Sequence, residues 1–338
     1  MEEDIVKLQE KLKSAQLPEE LRSKIDDMLT RLSRSAKYGS YSSEFEQVAR
    51  YLDWVVSIPW ETATQDILEL GHVKQVLDSH HYGLQELKDR ILEYLSVMIL
   101  NKSARAPILF LIGLVGTGKT TISKSIAESL GRKFVRIPFG GMSSSLDLRG
   151  QSRAYADAEP GQIIKALKTA GSKNPIILLD EIDRVAESAR GDIMGVLVEL
   201  LDPGQNMAFT DHYLDCPVDL SQVMFIATAN NSTNISPAVM DRLEPVMMPS
   251  YTDEEKIKIA KDYILPRELK NASMSEESFK IDDAVWAKII RPLGFDAGIR
   301  TLERTLQGTI RKVARMIVEG KGKSFLVTEA NMKQFLPS

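Results

Sequence analysis

The sequence predicts an α/β protein with a parallel sheet, a helical segment ahead of it and a small, mainly helical lid domain behind. Two observations carry that expectation. From about residue 61 to 249, short apolar runs alternate with amphipathic stretches, the pattern of strands joined by crossover helices. One of those runs, Pro107–Ile112, leads directly into Gly113-Leu114-Val115-Gly116-Thr117-Gly118-Lys119-Thr120. Ile122, Ile126 and Leu130 follow at helical spacing, and Gly131 closes the stretch. Strand, glycine loop and helix start thus stand in the order a phosphate-binding loop requires.

The elements can be justified in turn. Ile5, Leu8 and Leu12 share a helical face. Pro18 sits where a second helix begins, continued by Leu21, Ile25, Met28, Leu29 and Leu32. Phe45, Val48, Ala49, Leu52, Val55 and Val56 mark a third helix that stops before Ile58-Pro59. Residues 1–60 therefore form a helical segment. In residues 61–249 the strands fall at 107–112, 133–138, 175–180, 223–228 and 244–248. After Tyr251 the apolar spacing is helical again, through Ile257, Ile264, Val285, Ile289, Leu302, Leu306, Ile310 and Val313. One short apolar run, Ser324–Thr328, reads as a single strand in the domain 250–338.

The glycine loop has the Walker A spacing. Glycines let backbone N–H groups turn toward phosphate oxygens, and the helix N-terminus adds partial positive charge. Lys119 would reach the β- and γ-phosphates, and the Thr120 hydroxyl would ligate Mg²⁺. The second half of such a site is Ile176-Ile-Leu-Leu179 running into Asp180-Glu181. A carboxylate at the end of a parallel strand can hold the metal shell, and the adjacent Glu181 can polarise the attacking water. ATP or ADP with Mg²⁺ is the expected cofactor.

Composition limits the alternatives. The chain has 338 residues, a formal charge of −4 and one cysteine, Cys216. The charge gives no indication of a nucleic-acid partner, and one cysteine excludes internal disulfides and a cysteine zinc cluster. No apolar run approaches the ~20 residues of a membrane helix, and Met1-Glu-Glu-Asp does not resemble a signal peptide. The expectation is a cytoplasmic protein, or a mitochondrial-matrix one in a eukaryote, with no membrane partner.

An α/β nucleotide domain followed by a helical lid resembles the AAA+ layout. In that resemblance Asn230, ending Phe225-Ile-Ala-Thr-Ala-Asn230, takes the place of the sensor-one amide. Arg242 in Asp241-Arg242-Leu243 takes that of the arginine finger, and Arg300 in Gly298-Ile299-Arg300 that of sensor two. The likeness narrows to the ATPase portion of the Lon protease family through His81-Tyr82-Gly83-Leu84, Asp180-Glu-Ile-Asp183, Arg190-Gly-Asp192, Leu201-Asp-Pro203, Asp211-His-Tyr-Leu214 and Asp296-Ala-Gly-Ile-Arg300. Tyr51-Leu-Asp-Trp54 and Ile58-Pro59-Trp60 resemble the end of that family's N-terminal helical region.

The resemblance implies a ring, usually a hexamer, in which ATP hydrolysis pulls unfolded or misfolded polypeptide through a pore. It places Tyr82 near the adenine and Tyr155 as the pore-loop aromatic. Two departures stand out. Ala156-Asp157 follows Tyr155 where the family has a bulky aliphatic and then Gly, so with Glu159 the loop is acidic. Leu114-Val115 replaces the common Pro-Pro. No segment resembles the motif of the family's Ser-Lys dyad, so this polypeptide is not expected to cleave peptides. It reads either as a piece of a full protease or as a stand-alone unfoldase. A DNA-acting motor and a nucleotide-binding module without turnover remain open as other readings.

Overall fold

The structure, a computed structural model, describes residues 8–13, 15–37, 43–100, 108–290 and 298–336. Ile5, Pro107, Asp296 and Ala297 lie outside these. Two compact units account for the chain: Met1–Leu68, Asn101–Phe110 and Ala127–Pro245 in one, and Glu69–Leu100, Leu111–Ile126 and Val246–Ser338 in the other.

The first unit begins with helices α1 (Glu19–Lys37) and α2 (Ser43–Ser57). As Pro18 predicts, α1 starts at the following residue, with Glu19 and Glu20 in its first turn where the helix dipole favours them. The apolar stripe Leu21, Ile25, Leu29 and Leu32 is buried, as are Tyr51, Leu52 and Val55 of α2. The Tyr51 hydroxyl, buried with its ring, donates to Leu214 O at 3.0 Å, and burial pushes its pKa up to about 12.

The sheet follows the expected boundaries to within a residue. Its strands are β1 (Ile108–Ile112), β2 (Phe134–Pro138), β3 (Ile176–Asp180), β6 (Met224–Ala229) and β7 (Leu243–Met247), in the order β2-β3-β6-β1-β7. Ile176 to Leu179 are wholly buried, which is why β3 reads as a continuous apolar run. Its parallel registers pair Leu179 with Ile137 and with Ala227. A hairpin of β4 (Phe209–Asp211) and β5 (Cys216–Val218) was not foreseen, because three-residue strands are too short to show a period.

The second unit holds α3 (Leu70–His80), α4 (Gln85–Leu100), the glycine loop with the start of α5 (Lys119–Ser129), and the lid. The lid core gathers Trp286, Ile289, Leu302, Leu306, Ile310 and Val313 from two helices, α6 (Asp283–Ile290) and α7 (Arg300–Val318). The short run near the end is β9 (Phe325–Val327), and it pairs in parallel with β8 (Phe279–Ile281), another unforeseen three-residue strand. Between Asp253 and Asn271 the lid's first helix slips into a π turn at Ala260–Ile264. Pro266 explains the slip, since it has no N–H to continue the regular ladder.

Candidate nucleotide and substrate sites

In the second unit the loop after β1 has the backbone of a phosphate cradle. Gly116 (φ +84°) and Gly118 (φ +97°) adopt left-handed conformations that side chains disfavour. Thr117 is fully buried and its hydroxyl donates to Leu114 O at 2.9 Å, bracing the turn from inside. The Lys119 Nζ, also buried, donates to Leu114 O at 3.0 Å and to Gly113 O, so the ammonium is held over the loop. Thr120 is half-buried beside it, whereas Leu114 and Val115 are exposed. The Tyr251 hydroxyl donates to Thr117 O at 3.2 Å.

The lid meets this loop through backbone. The Ile299 N–H donates to Gly116 O at 3.0 Å, and a Cβ at Gly298 would stand 2.6 Å from Val115 O. Gly298 is therefore needed for its lack of a side chain. Arg300, the first residue of α7, is brought to the loop by the same contact and is itself exposed. Tyr82 packs against the lid core with the Lys258 ammonium 5.2 Å from its ring centre. Its neighbour His81 is buried, with Nε2 2.9 Å from Ser125 Oγ, and His80 Nδ1 reaches the same hydroxyl at 3.1 Å. Burial, then the charges of His80 and Lys88, lowers the His81 pKa to about 4.

The acidic strand end lies in the first unit. Asp180 is buried and both its oxygens are engaged. The Thr228 hydroxyl donates to Oδ1 at 2.5 Å and Arg136 Nε to Oδ2 at 2.6 Å. Thr228 also accepts the Glu181 N–H at 2.9 Å, so one hydroxyl of β6 orients both carboxylate residues. Glu181 has φ +58°, a left-handed backbone that a non-glycine residue holds only at a cost. Its Oε2 lies 3.6 Å from Arg184 Nη1. Asp183 accepts the N–H of Asn230 at 3.1 Å, tying the end of β6 to the turn after β3. Asp183 and Thr228 stand within motifs read from the sequence but were given no role there, and Arg136 was not singled out. An inward Thr on an apolar strand carries no signal until the register sets it opposite β3.

Among the described residues no three His, Cys, Asp or Glu side chains cluster as a metal cage. Mg²⁺ needs no such cage, since it keeps most of its shell as phosphate and water and takes only one or two protein oxygens. The buried Asp180 carboxylate is an oxygen donor of that kind, although it is shared with Arg136.

Arg242 is ion-paired. Its Nη2 donates to Asp202 Oδ2 at 2.9 Å and its Nη1 to Ala238 O at 2.8 Å. Asp202 belongs to the Leu201-Asp-Pro203 motif, and hydrogen bonds from Gly204 and Arg242 hold its carboxyl below the usual range.

Tyr155 sits on a loop whose ends are pinched together. A Cβ at Gly161 would overlap the Leu148 carbonyl, and Gln151 N donates to Glu159 O at 3.1 Å. Asp211, wholly buried, accepts the N–H groups of Gly161 (2.7 Å), Tyr213 (2.9 Å) and Leu214 (3.0 Å). The Asp211-His-Tyr-Leu214 motif is thus the clasp of this loop. Tyr155 is 68% exposed. Glu159 is ion-paired with Lys165 at 2.6 Å, so the acidity expected from the sequence is partly neutralised.

Residues 109–251 match the family described as "ATPase family associated with various cellular activities (AAA)". With its glycine loop and acidic strand end, the chain is an ATPase of the AAA class. Residues 270–325 match the "Lon protease AAA+ ATPase lid domain". The chain is 45% identical over 335 residues to a Lon protease of Lawsonia intracellularis, covering 99% of this chain and 40% of that protein. It is 43% identical over 348 residues to Lon protease 2 of Thermus thermophilus, with 99% and 43% covered, and 43% identical over 333 residues to Lon protease 1 of Bacillus subtilis, with 98% and 43% covered. It belongs to the Lon protease family, as an ATPase module, and spans about two fifths of the length of these relatives. Among the described residues no helix is long and apolar enough to cross a membrane.

Proposed function

We propose that this chain is the unfolding and translocating motor of an ATP-dependent Lon-type protease, working as a ring, most simply a hexamer, on unfolded or misfolded proteins in the cytoplasm. The observation that carries this reading is Tyr155, an exposed aromatic on a clasped loop. An aromatic grips backbone and side chains with little sequence preference, as a motor with many substrates needs. In this reading Lys119 and the loop N–H groups bind the β- and γ-phosphates. Thr120 and Asp180 hold Mg²⁺, whose chemistry is to neutralise charge on the phosphates. Glu181 accepts a proton from the attacking water, Asn230 orients that water, and Tyr82 borders the adenine. Arg242 from a neighbouring subunit and Arg300 from the lid stabilise the charge that develops on the leaving phosphate.

The test joins two assays on the ring-forming protein: phosphate release from ATP, and ATP-dependent loss of fluorescence from a folded, tagged substrate. Both should occur, and Tyr155→Ala should keep the first while losing the second. Phosphate release without unfolding by the parent protein would overturn the motor reading.

A further inference from the structure

Beside Tyr155 the first unit contains a cavity of about 260 Å³ that none of the nucleotide chemistry uses. Its walls come from α1, α2 and the Tyr155 loop, and three of its lining side chains are arginines: Arg31, Arg50 and Arg153. Among the described residues no Asp or Glu lines it. Tyr51, Tyr155 and Tyr213 supply the aromatic surface. The volume admits one or two side chains and is too small for a cofactor.

The arginines are placed rather than loose. The Arg153 guanidinium lies over the Tyr51 ring, 4.0 Å from its centre, a cation–π contact that holds it in place. Arg50 Nη1 donates to Ala156 O at 3.3 Å, linking the helical segment to the residue after Tyr155. Arg31 is exposed and has no ion-pair partner among the described residues. Two carboxylates near the cavity, Asp215 beside Arg153 and Glu159 within electrostatic reach of Arg50, offset part of this charge. Asp215 is 3.9 Å from Arg153 Nη2 and mostly exposed, and Glu159 is held by Lys165.

We propose that this cavity is a docking site for acidic segments of the substrate polypeptide, which seat a carboxylate between the guanidinium groups and an adjoining aromatic or aliphatic side chain against the tyrosines. Planar guanidinium groups bind carboxylates through paired, charge-assisted hydrogen bonds, and three without a lining carboxylate favour an anion strongly. The polarity is opposite to that read from Asp157 and Glu159 in the sequence, because the arginines come from helices more than a hundred residues upstream and from the loop's own base. A carboxylate held there lies beside Tyr155, so the site would present acidic stretches to the gripping residue. This last step rests on the motor reading; the binding itself does not.

The experiment measures fluorescence anisotropy of labelled, unstructured peptides of equal length, mixed with the whole protein in the absence of ATP turnover. One peptide is rich in Glu with interspersed Tyr, one has Gln for Glu, one has Lys for Glu, and a single-stranded oligonucleotide is the fourth probe. The acidic peptide should bind best, weaken with added salt, and lose about tenfold in affinity with Arg31→Gln or Arg50→Gln, the worth of one charge-assisted hydrogen bond. Both variants should retain the parent rate of phosphate release, which shows that they are folded. Arg153→Lys, which keeps charge but loses the planar guanidinium, should weaken binding as well. Equal binding of the acidic and Gln peptides, or displacement of the acidic peptide by the oligonucleotide at lower concentration, overturns the proposal. If acidic binding depends on the arginines but ATP-driven unfolding fails, the motor reading falls and the pocket stands. Intact unfolding with no charge preference has the reverse meaning.

Discussion

Arg242 and Asp202 form an ion pair at 2.9 Å within one chain, each side chain about a quarter exposed. The guanidinium proposed to act on a neighbour's nucleotide is therefore held at a defined position before any neighbour arrives. Leu201-Asp-Pro203 acquires a physical role from this, as the anchor of Arg242.

Replacing Arg242 by Ala should reduce turnover in the assembled ring by about a thousandfold, the lower range for an arginine finger, while ATP affinity stays near the parent value. Asp202→Ala should lower turnover far less, since the finger remains present but less ordered. Phosphate release and calorimetric ATP titration on both variants check this. Equal loss in the two would make the ion pair, rather than the finger, the important element.

Glu181 holds a left-handed backbone at φ +58°. Glu181→Gly should therefore raise unfolding free energy by about 1 kcal/mol, through relief of strain, and abolish hydrolysis. Glu181→Gln should keep ATP bound and unhydrolysed without the gain in stability, because its backbone is equally strained. Urea denaturation beside phosphate release separates the two effects.

Gly298 touches the carbonyl of Val115 with no room for a methyl group. Gly298→Ala should push the lid from the glycine loop and weaken nucleotide binding by roughly tenfold, on the order of the 1–3 kcal/mol that overpacking costs. Lys119→Ala should weaken it much more, through loss of the ammonium on the phosphates. Calorimetry with a non-hydrolysable ATP analogue measures both, and unchanged affinity in Gly298→Ala would remove the lid contact from the binding site.

His81 titrates near 4 in the folded protein against an ordinary 6.5. Its folded pKa is depressed, so its neutral form stabilises the fold above the unfolded value. That contribution, about 3 kcal/mol, is lost as pH falls from 6.5 through 4. Urea midpoints should fall across that window. His81→Gln should flatten the fall, since an amide can still meet Ser125 but does not charge.

Much of the fold was legible because long-range order in a buried parallel sheet leaves a local trace. Ile176–Leu179 is apolar throughout, and Phe225–Ala229 is apolar but for Thr228, since both faces of each strand are covered, and their boundaries could be read to a residue. The Walker loop was legible for a similar reason. Its chemistry depends on backbone conformation and on glycines adjacent in sequence, and Gly116 and Gly118 adopt the left-handed angles that their spacing implied.

Groups joined across the fold left no such trace. Thr228 bonds Asp180 and Glu181 only because β6 lies beside β3 in that register, and Asp211 clasps the Tyr155 loop from a hairpin too short to have a period. The sequence by itself determined the sheet, the lid helices and the phosphate cradle, where each element carries its own apolar period or backbone signature. Only the tertiary structure decided which side chains meet. It paired Arg242 with Asp202 and set Arg31, Arg50 and Arg153 round Tyr155, turning a loop that reads as acidic into the edge of a basic pocket. Charge acts through space, and the sequence records only its order along the chain.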